Sequence, residues 1–319
     1  MNFIQPMLKK TIFSQIKSIL VRICKTLFKI AVMMAIFLPM MAPAINIFHR
    51  PRSFKLTPKD LGFFKSEDVS FQTEDGVTLR GWLIPAGTTT TKAAVVFCHG
   101  TPSDCLDQLP KGAFLASAGY SCLFFDFRAQ GRSEGHRITY GLHESKDVSA
   151  AVSFIKNRLP NLPIGIYGES CGATNAILAA KECTSVGAFV LDSTFGAYRE
   201  MIEYQCHLDS LPSIVSTPFE RMYSFWANLF AGGPMFDVSP VTAVGGLGSR
   251  PVLFIASTAD NVVPFKHSQK LYDSCTCPKE LWLIPGISHC GGYSLRQDQY
   301  KVKVLSFLDK ALVLNSSQH

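Results

Sequence analysis

The feature that most constrains the fold is an alternation of short apolar runs and helix-like segments that begins after Pro51. Short apolar runs bounded by turn residues are typical of strands buried on both faces. They recur at residues 93–98, 121–125, 163–167, 188–191, 252–255 and 281–284, after a predicted hairpin over residues 68–72 and 77–84. Helical patterns lie between them, near residues 108–118, 142–159, 170–181, 265–273 and 295–312. This order predicts an α/β protein with a mostly parallel central sheet and helices on both faces.

One long segment, residues 194–247, interrupts this alternation between two strands and is predicted to form a lid. Its apolar side chains could line an acyl pocket or pack as one helix face on the sheet. They are Phe219, Met222, Tyr223, Phe225, Trp226, Leu229 and Phe230. We therefore expect two parts of the chain: an N-terminal segment over residues 1–50 and an α/β domain over residues 51–319 that contains the lid.

The N-terminal segment combines a basic amphipathic pattern with an apolar run. Apolar residues at helical spacing share one face from Ile12 to Ile30, and the basic residues Lys17, Arg22 and Lys25 lie on the other. Residues 30–48 contain no charge and would span about 28 Å as a helix, close to the thickness of a bilayer core. Pro39 and Pro43 would kink such a span.

Three interpretations of this apolar run remain open. It is a single-pass anchor that makes the protein membrane-associated, a signal peptide cleaved near Ala42-Pro43-Ala44 before export, or a helix packed on the domain. Residues 1–59 hold ten of the 31 Lys and Arg residues and no Asp or Glu, so the remainder carries 21 basic residues against 24 acidic ones. The basic charge thus favours an anionic membrane as partner and argues against a nucleic acid.

The ten cysteines do not define a disulfide framework or a zinc site. Cys98, Cys122 and Cys171 fall in or beside core strands, where a free thiol acts as a small hydrophobic side chain. Cys275 and Cys277 are too close in sequence for an easy disulfide. We therefore expect reduced structural cysteines and no metal.

The candidate nucleophile is Ser170, in the sequence Gly168-Glu169-Ser170-Cys171-Gly172. The motif G-x-S-x-G follows the strand at 163–167 and precedes a helix, which is the context in which such a serine projects from a sharp turn. The helix N-terminus behind the serine favours developing negative charge. A glycine-rich turn with an ordinary serine is the alternative.

A serine hydroxyl needs a base within hydrogen-bond reach, and that base needs an orienting partner. His289 follows the strand at 281–284, and Asp260 follows the strand at 252–255. Both therefore lie at the carboxyl edge of the sheet, where ligands bind in open α/β sheets. Asp192 ends the preceding strand and is the alternative acid.

Two backbone N–H groups are candidates for stabilising a tetrahedral oxyanion. One belongs to Cys171, the residue after the nucleophile, and the other to Thr101, in the loop His99-Gly100-Thr101-Pro102. Gly100 permits an unusual backbone path in this loop, and His99 is expected to brace it.

Together these residues resemble the α/β-hydrolase superfamily, in particular its membrane-associated serine esterase and aminopeptidase-like branch. The resemblance runs from about residue 67 to 312 and rests on Glu74-Asp75-Gly76, Gly81-Trp82-Leu83, His99-Gly100, Asp126-Phe127-Arg128, the serine motif, Asp237-Val238-Ser239-Pro240, the Asp260 segment and His289. It implies an α/β-hydrolase fold, a triad of Ser170, Asp260 and His289 without a cofactor, and a membrane anchor. The Val-Val-Pro after Asp260 fits the family pattern and favours Asp260 over Asp192. Ala129-Gln130 departs from the usual Gly-His without touching the triad.

The expected activity is hydrolysis of carboxylic esters or acyl-thioesters through an acyl-enzyme intermediate, on small acyl esters or lipid-like substrates. A serine peptidase on the same fold is the alternative enzyme. A non-catalytic binding protein is the alternative from another class, and it would be expected to have lost a triad residue.

Overall fold

The central sheet of the computed structural model contains eight strands within the described residues, which are 4–48, 57–63 and 65–314. The strands are β1 (Glu67–Gln72), β2 (Thr78–Ile84), β3 (Ala93–Cys98), β4 (Tyr120–Phe125), β5 (Ile164–Glu169), β6 (Val186–Asp192), β7 (Val252–Ser257) and β8 (Lys279–Ile284). Their spatial order is β1-β2-β4-β3-β5-β6-β7-β8. Strands β1 and β2 form the predicted hairpin, β2 is antiparallel to β4, and the other neighbours are parallel. The predicted fold class is confirmed.

The described residues form α-helices on both faces of this sheet and beyond it. They are α1 (Ile4–Phe48), α2 (Leu109–Ser117), α3 (Glu144–Arg158), α4 (Cys171–Ala179), α5 (Tyr198–Gln205), α6 (Ser213–Ala231), α7 (Pro240–Ala243), α8 (Lys266–Ser274), α9 (Gly292–Leu295) and α10 (Gln297–Leu308). One core, packed by α3, α4 and α8, lies on one face, and a second core, packed by α2 and α10, lies on the other. Because both faces are covered, every residue of β3, β4, β5 and β7 is buried.

The parallel strands bring the candidate site together. Strand β5 ends at Glu169, β7 at Ser257 and β8 at Ile284. Since parallel strands end at the same edge, the loops after these three strands leave the sheet at one edge, with β6 between β5 and β7. Ser170, Asp260 and His289 lie on those three loops.

The segment predicted to be a lid, residues 194–247, contains α5, α6 and α7 and shares a third core with the end of α1. Ile47 is fully buried in this core, and its carbonyl oxygen accepts the backbone N–H of Ile138 at 2.9 Å. Pro39 and Pro43 are also buried, although α1 continues as a helix through both. Residues 15–38 are exposed. The end of α1 is therefore part of the folded body, whereas most of the helix is not.

Two sequence expectations were wrong in detail. Cys275 and Cys277 form a disulfide. Helix α8 ends at Ser274, and the extended backbone of Cys275 turns the chain so that the two Cα atoms lie 5.5 Å apart, within the usual range for disulfides. The helix predicted near residues 295–312 begins two residues later, at Gln297, because Arg296 has a non-helical φ of −135° that separates α10 from the short α9.

Candidate active site

Ser170 lies on a strained turn between β5 and α4. Its φ of +50° and ψ of −120° lie outside the conformations that L residues prefer. Glycines on both sides make the turn possible: a Cβ at Gly168 would lie 2.6 Å from the Cα of Ala173, and one at Gly172 would overlap the carbonyl oxygens of Cys98 and His99. The backbone N–H of Ser170 donates to the carbonyl oxygen of Asp192 at 2.8 Å. These contacts hold the serine above the end of the sheet.

The side chains of Asp260, His289 and Ser170 form one chain of hydrogen bonds. Nδ1 of His289 lies 2.7 Å from Oδ2 of Asp260, and Nε2 lies 3.0 Å from Oγ of Ser170. Because an ionised carboxylate only accepts, Nδ1 carries the ring proton of the neutral imidazole, and Nε2 accepts from the serine hydroxyl. This is the arrangement that a base needs in order to take a proton from Oγ.

Asp260 is held from a second side by the backbone. Its Oδ1 accepts the N–H groups of Val262 at 2.9 Å and Val263 at 2.8 Å. The Asp260 side chain is only 1% exposed and that of His289 is 21% exposed. The carboxylate is thus fixed and shielded from water, while the imidazole reaches the site.

The loop after β3 lies directly beside the serine. A Cβ at Gly100 would be 3.5 Å from the Cβ of Ser170. His99 is buried; its Nε2 accepts the backbone N–H of Phe127 at 3.1 Å, so its Nδ1 donates to the carbonyl oxygen of Gly100 at 2.7 Å. His99 therefore braces the loop that carries Thr101.

Thr101 and Cys171 line the same cavity as Ser170. Cys171 is the first residue of α4, so its backbone N–H is among those that a helix leaves without an internal acceptor. Burial raises the pKa of the Cys171 thiol to about 12. The thiol therefore stays protonated, and only the backbone of Cys171 is chemically available.

The cavity above Ser170 has a volume of about 220 Å³. Its lining comes from α1, the loop after β3, α5 and the segment after Asp260: Asn46, Thr101, Pro102, Tyr140, Ser170, Cys171, Tyr198, Met201, Ile202, Gln205, Val262 and Val263. None of the seven α6 side chains suggested as an acyl pocket lines it. The alternative, an apolar helix face packed on the sheet, was also wrong, because α6 packs beside α1 and the third core.

Asp192, the alternative acid, lies in a separate buried cluster. Its Oδ2 accepts from the hydroxyl of Tyr300 at 2.7 Å, and its Oδ1 accepts from Oγ of Ser193 at 3.0 Å. Burial, and after it the charge of Glu169, raises the pKa of Asp192 to about 6. Glu169 in turn is paired with Lys111, and both side chains are almost fully buried. Sequence reasoning missed Lys111 and Tyr300 because each comes from a helix without a motif.

Comparisons with known proteins concern the family and the fold. The family model described as "Serine aminopeptidase, S33" matches residues 89–229. The uncharacterized protein YqkD of Bacillus subtilis is 31% identical over 223 residues, which are 69% of this chain and 72% of YqkD. The lysophosphatidylserine lipase ABHD12 of Danio rerio is 28% identical over 263 residues, which are 70% of this chain and 62% of that protein.

A solved structure provides the third comparison. The Pyrococcus furiosus esterase Pf2001 superposes with a TM-score of 0.68 and 29% identity, over 82% of this chain and 97% of that one. The fold and these similarities define a hydrolase. The chain belongs to the α/β-hydrolase superfamily, in the branch that the serine aminopeptidase S33 model describes.

Proposed function

We propose that the chain is a serine esterase in which Ser170 is the nucleophile, His289 the general base and Asp260 the orienting acid. The observation that carries this proposal is the hydrogen-bonded chain from Asp260 through His289 to Ser170, which opens into a cavity. Neither a surface histidine nor an ordinary buried serine would require this series of hydrogen bonds. The backbone strain at Ser170 also supports a functional role, because strain of this kind clusters at active sites.

The reaction follows from the positions of the atoms. Oγ of Ser170 attacks the acyl carbonyl carbon while Nε2 of His289 takes the hydroxyl proton, and the carbonyl oxygen becomes an oxyanion near the N–H groups of Thr101 and Cys171. Collapse of the tetrahedral intermediate breaks the ester bond, and the proton passes from Nε2 to the leaving alcohol or thiol. A water molecule then attacks the acyl-enzyme by the same path in reverse, releasing the carboxylic acid and Ser170.

The lining of the cavity favours an ester or thioester over a peptide with a free amino terminus. None of the described residues that line it is charged, whereas an α-ammonium group would require a carboxylate or several acceptors when it leaves water. A serine peptidase remains the second candidate, because the matched family model is named for an aminopeptidase. The lipase and esterase names among the relatives support an acyl ester, including a lipid-like one.

The N-terminal helix is proposed to remain attached to the mature protein as its membrane anchor. Within the described residues, the segment Gln15–Phe48 is long and apolar enough to cross a membrane, a property that anchors and signal sequences share. Cleavage near Ala44 would remove Pro43, which is buried against the body, and would cut the helix that presents Ile47 and Asn46. Retention is therefore the proposal that preserves the third core. On this proposal residues 1–50 are the anchor, and residues 194–247 are the lid of the domain.

Labelling with a fluorophosphonate probe tests the nucleophile. The full chain in detergent should be labelled covalently, and Ser170→Ala should not be labelled while losing up to about 10⁶-fold in turnover. The matched control is Ser257→Ala, since Ser257 is a buried serine at the end of β7, at the same edge of the sheet. Labelling that survives in Ser170→Ala, or a folded wild type that does not react, would refute the proposal.

Substrate class is tested on the same preparation with p-nitrophenyl acyl esters, an acyl-thioester and an aminoacyl anilide. We expect hydrolysis of the ester and thioester, and little or none of the anilide. Preferential hydrolysis of the anilide would identify the protein as a peptidase.

A further inference from the structure

Helix α6 has an exposed apolar stripe along its outer side. Ile214 is 83% exposed, Phe225 61%, Leu229 57% and Val215 52%. At 100° per residue these four side chains fall within about 100° of one another around the helix. The opposite side of the same helix is buried in the third core through Tyr223. Single exposed apolar residues are ordinary, but four large ones on one side of a helix, in two groups at residues 214–215 and 225–229, indicate an interaction surface.

This stripe adjoins the N-terminal helix. The rings of Phe48 in α1 and Phe230 in α6 meet edge to face at 5.7 Å, and Phe230 in turn stacks on Trp226 at 5.5 Å. Phe230 and Trp226 therefore form the side of α6 that joins the stripe to α1. The exposed apolar residues at the end of α1, such as Ile45 and Phe48, therefore lie beside the side of α6 that adjoins the stripe.

The length of α1 identifies what covers that surface. The uncharged run covers residues 30–48, but from Pro39 onward one side of the helix, with Pro39, Pro43 and Ile47, is buried against the body. Only residues 30–38 are uncharged and free of the body, and nine helical residues span about 13 Å, less than half of the roughly 30 Å bilayer core. The uncharged run can therefore lie in a bilayer only if the neighbouring body surface, which is α6, enters the interface with it. The basic residues Lys25 and Lys29 precede residue 30, at the end of the uncharged run away from the body, where they would meet anionic lipid phosphates.

We propose that the outer stripe of α6, formed by Ile214, Val215, Phe225 and Leu229 and here called the docking stripe, inserts together with α1 into the surface of an anionic phospholipid bilayer. The α1 helix is then more than a tether, because it fixes the orientation of the domain on the membrane. Its residue Asn46 lines the cavity above Ser170 and donates from Nδ2 to the hydroxyl of Tyr223 in α6 at 3.4 Å. The cavity mouth consequently lies at the lipid surface.

This geometry also indicates a class of substrate, and that inference rests on the proposed esterase function. The cavity of about 220 Å³ is smaller than the roughly 300–1,000 Å³ typical of sites that enclose a whole ligand. It holds the ester group and part of one chain, while the remainder of a long acyl substrate stays in the bilayer. The preferred substrate is therefore a membrane-resident acyl ester that reaches Ser170 without entering water.

The docking itself is tested without any activity measurement. The full chain is reconstituted in vesicles of phosphatidylcholine and phosphatidylglycerol, with and without brominated acyl chains, and the Trp226 signal is obtained by subtracting Trp226→Phe. Brominated lipid should quench Trp226 in the wild type. The variant Ile214→Glu with Leu229→Glu should lower the ratio of docked to undocked protein at least about tenfold, because two large apolar contacts are lost.

The matched control places the same charges on exposed apolar residues elsewhere. Leu295 is 64% exposed on α9 and Val302 is 69% exposed on α10, which packs in the second core. Leu295→Glu with Val302→Glu should leave the quenching unchanged. Absence of quenching in the wild type, or equal quenching in both double variants, would overturn the proposal. Cross-linked dimers that only the stripe variant loses would assign the stripe to a second copy of the chain.

A second measurement separates this proposal from the esterase proposal. Turnover of a long-chain monoacylglycerol in the vesicles should fall at least about tenfold in the stripe variant, while turnover of soluble p-nitrophenyl butyrate stays within about twofold. Quenching without hydrolysis of either ester would overturn the proposed activity and leave the docking intact. Hydrolysis of both esters without quenching of Trp226 would overturn the docking instead. So would a stripe variant that loses the same fraction of turnover on both esters.

Discussion

The replacement Asp260→Asn tests the proposed orienting acid directly. Oδ1 of Asp260 accepts two backbone N–H groups, from Val262 and Val263, and Oδ2 meets Nδ1 of His289. In the variant the amide oxygen must keep the two backbone donors, because an NH₂ group there would face two N–H groups. The NH₂ therefore turns toward His289, makes Nδ1 an acceptor and moves the ring proton to Nε2.

With a proton on Nε2, the imidazole cannot take the proton of Ser170. The same tautomer change lowers kcat about 10⁴-fold in a serine protease with this triad geometry, and we expect a loss of that size here. The assay is steady-state hydrolysis of a soluble acyl ester by the full chain. The control is Asp192→Asn, whose side chain contacts Tyr300 rather than the imidazole and should cost less than about tenfold. A larger loss in Asp192→Asn than in Asp260→Asn would refute the assignment.

Three further predictions concern the support of the site. Gly172→Ala should abolish activity and lower the unfolding free energy by about 1–3 kcal/mol, because the new Cβ would overlap carbonyl oxygens at the end of β3. Thermal unfolding measures the loss. The control is Gly245→Ala, where a Cβ meets nothing within 4 Å. Lys111→Met should cost about 3–5 kcal/mol in unfolding free energy, since it leaves Glu169 buried without its cation; adding Glu169→Gln should recover most of it, and an equal or larger loss in the double variant would contradict the ion-pair explanation. The raised pKa of Asp192, about 6, means that the folded state binds this proton more tightly than the unfolded state does. This stabilisation is lost as pH rises through the folded pKa, so between about pH 4 and pH 6 the wild type should lose about 2–3 kcal/mol of unfolding free energy relative to Asp192→Asn. Parallel profiles of stability against pH for the two proteins would contradict this prediction.

Much of the fold was predictable because each strand is short, apolar and bounded by turn residues. The run 93–98 was predicted with its observed ends, and the hairpin was displaced by one residue at each strand start. The start of the last helix was harder, because Arg296 has a non-helical φ although it is neither a glycine nor a proline. Helical periodicity gives the existence of an element more reliably than its ends.

The choice between Asp192 and Asp260 shows where sequence reasoning about a site stops. Both carboxylates follow a strand at the same edge of the sheet, so the edge rule cannot separate them. Asp192 is still a strand residue, paired with Glu169 on β5. Its side chain reaches Tyr300, a residue of the second core, which lies on one face of the sheet. Asp260 lies beyond its strand, where the loop is free to carry the carboxylate to His289.

The N-terminal apolar run could not be interpreted from composition because different parts of it have different surroundings. Residues 30–38 are exposed and apolar, as an anchor requires, whereas Pro39, Pro43 and Ile47 are buried, as a packed helix requires. Hydropathy averaged over the whole run does not distinguish the exposed part from the buried part. The part of α1 after residue 39 contacts α6 and carries Asn46, which lines the cavity. On the docking proposed above, a helix joined in this way to the candidate active site makes the membrane part of the substrate path, and we expect removal of α1 to alter the cavity as well as the membrane binding of the protein.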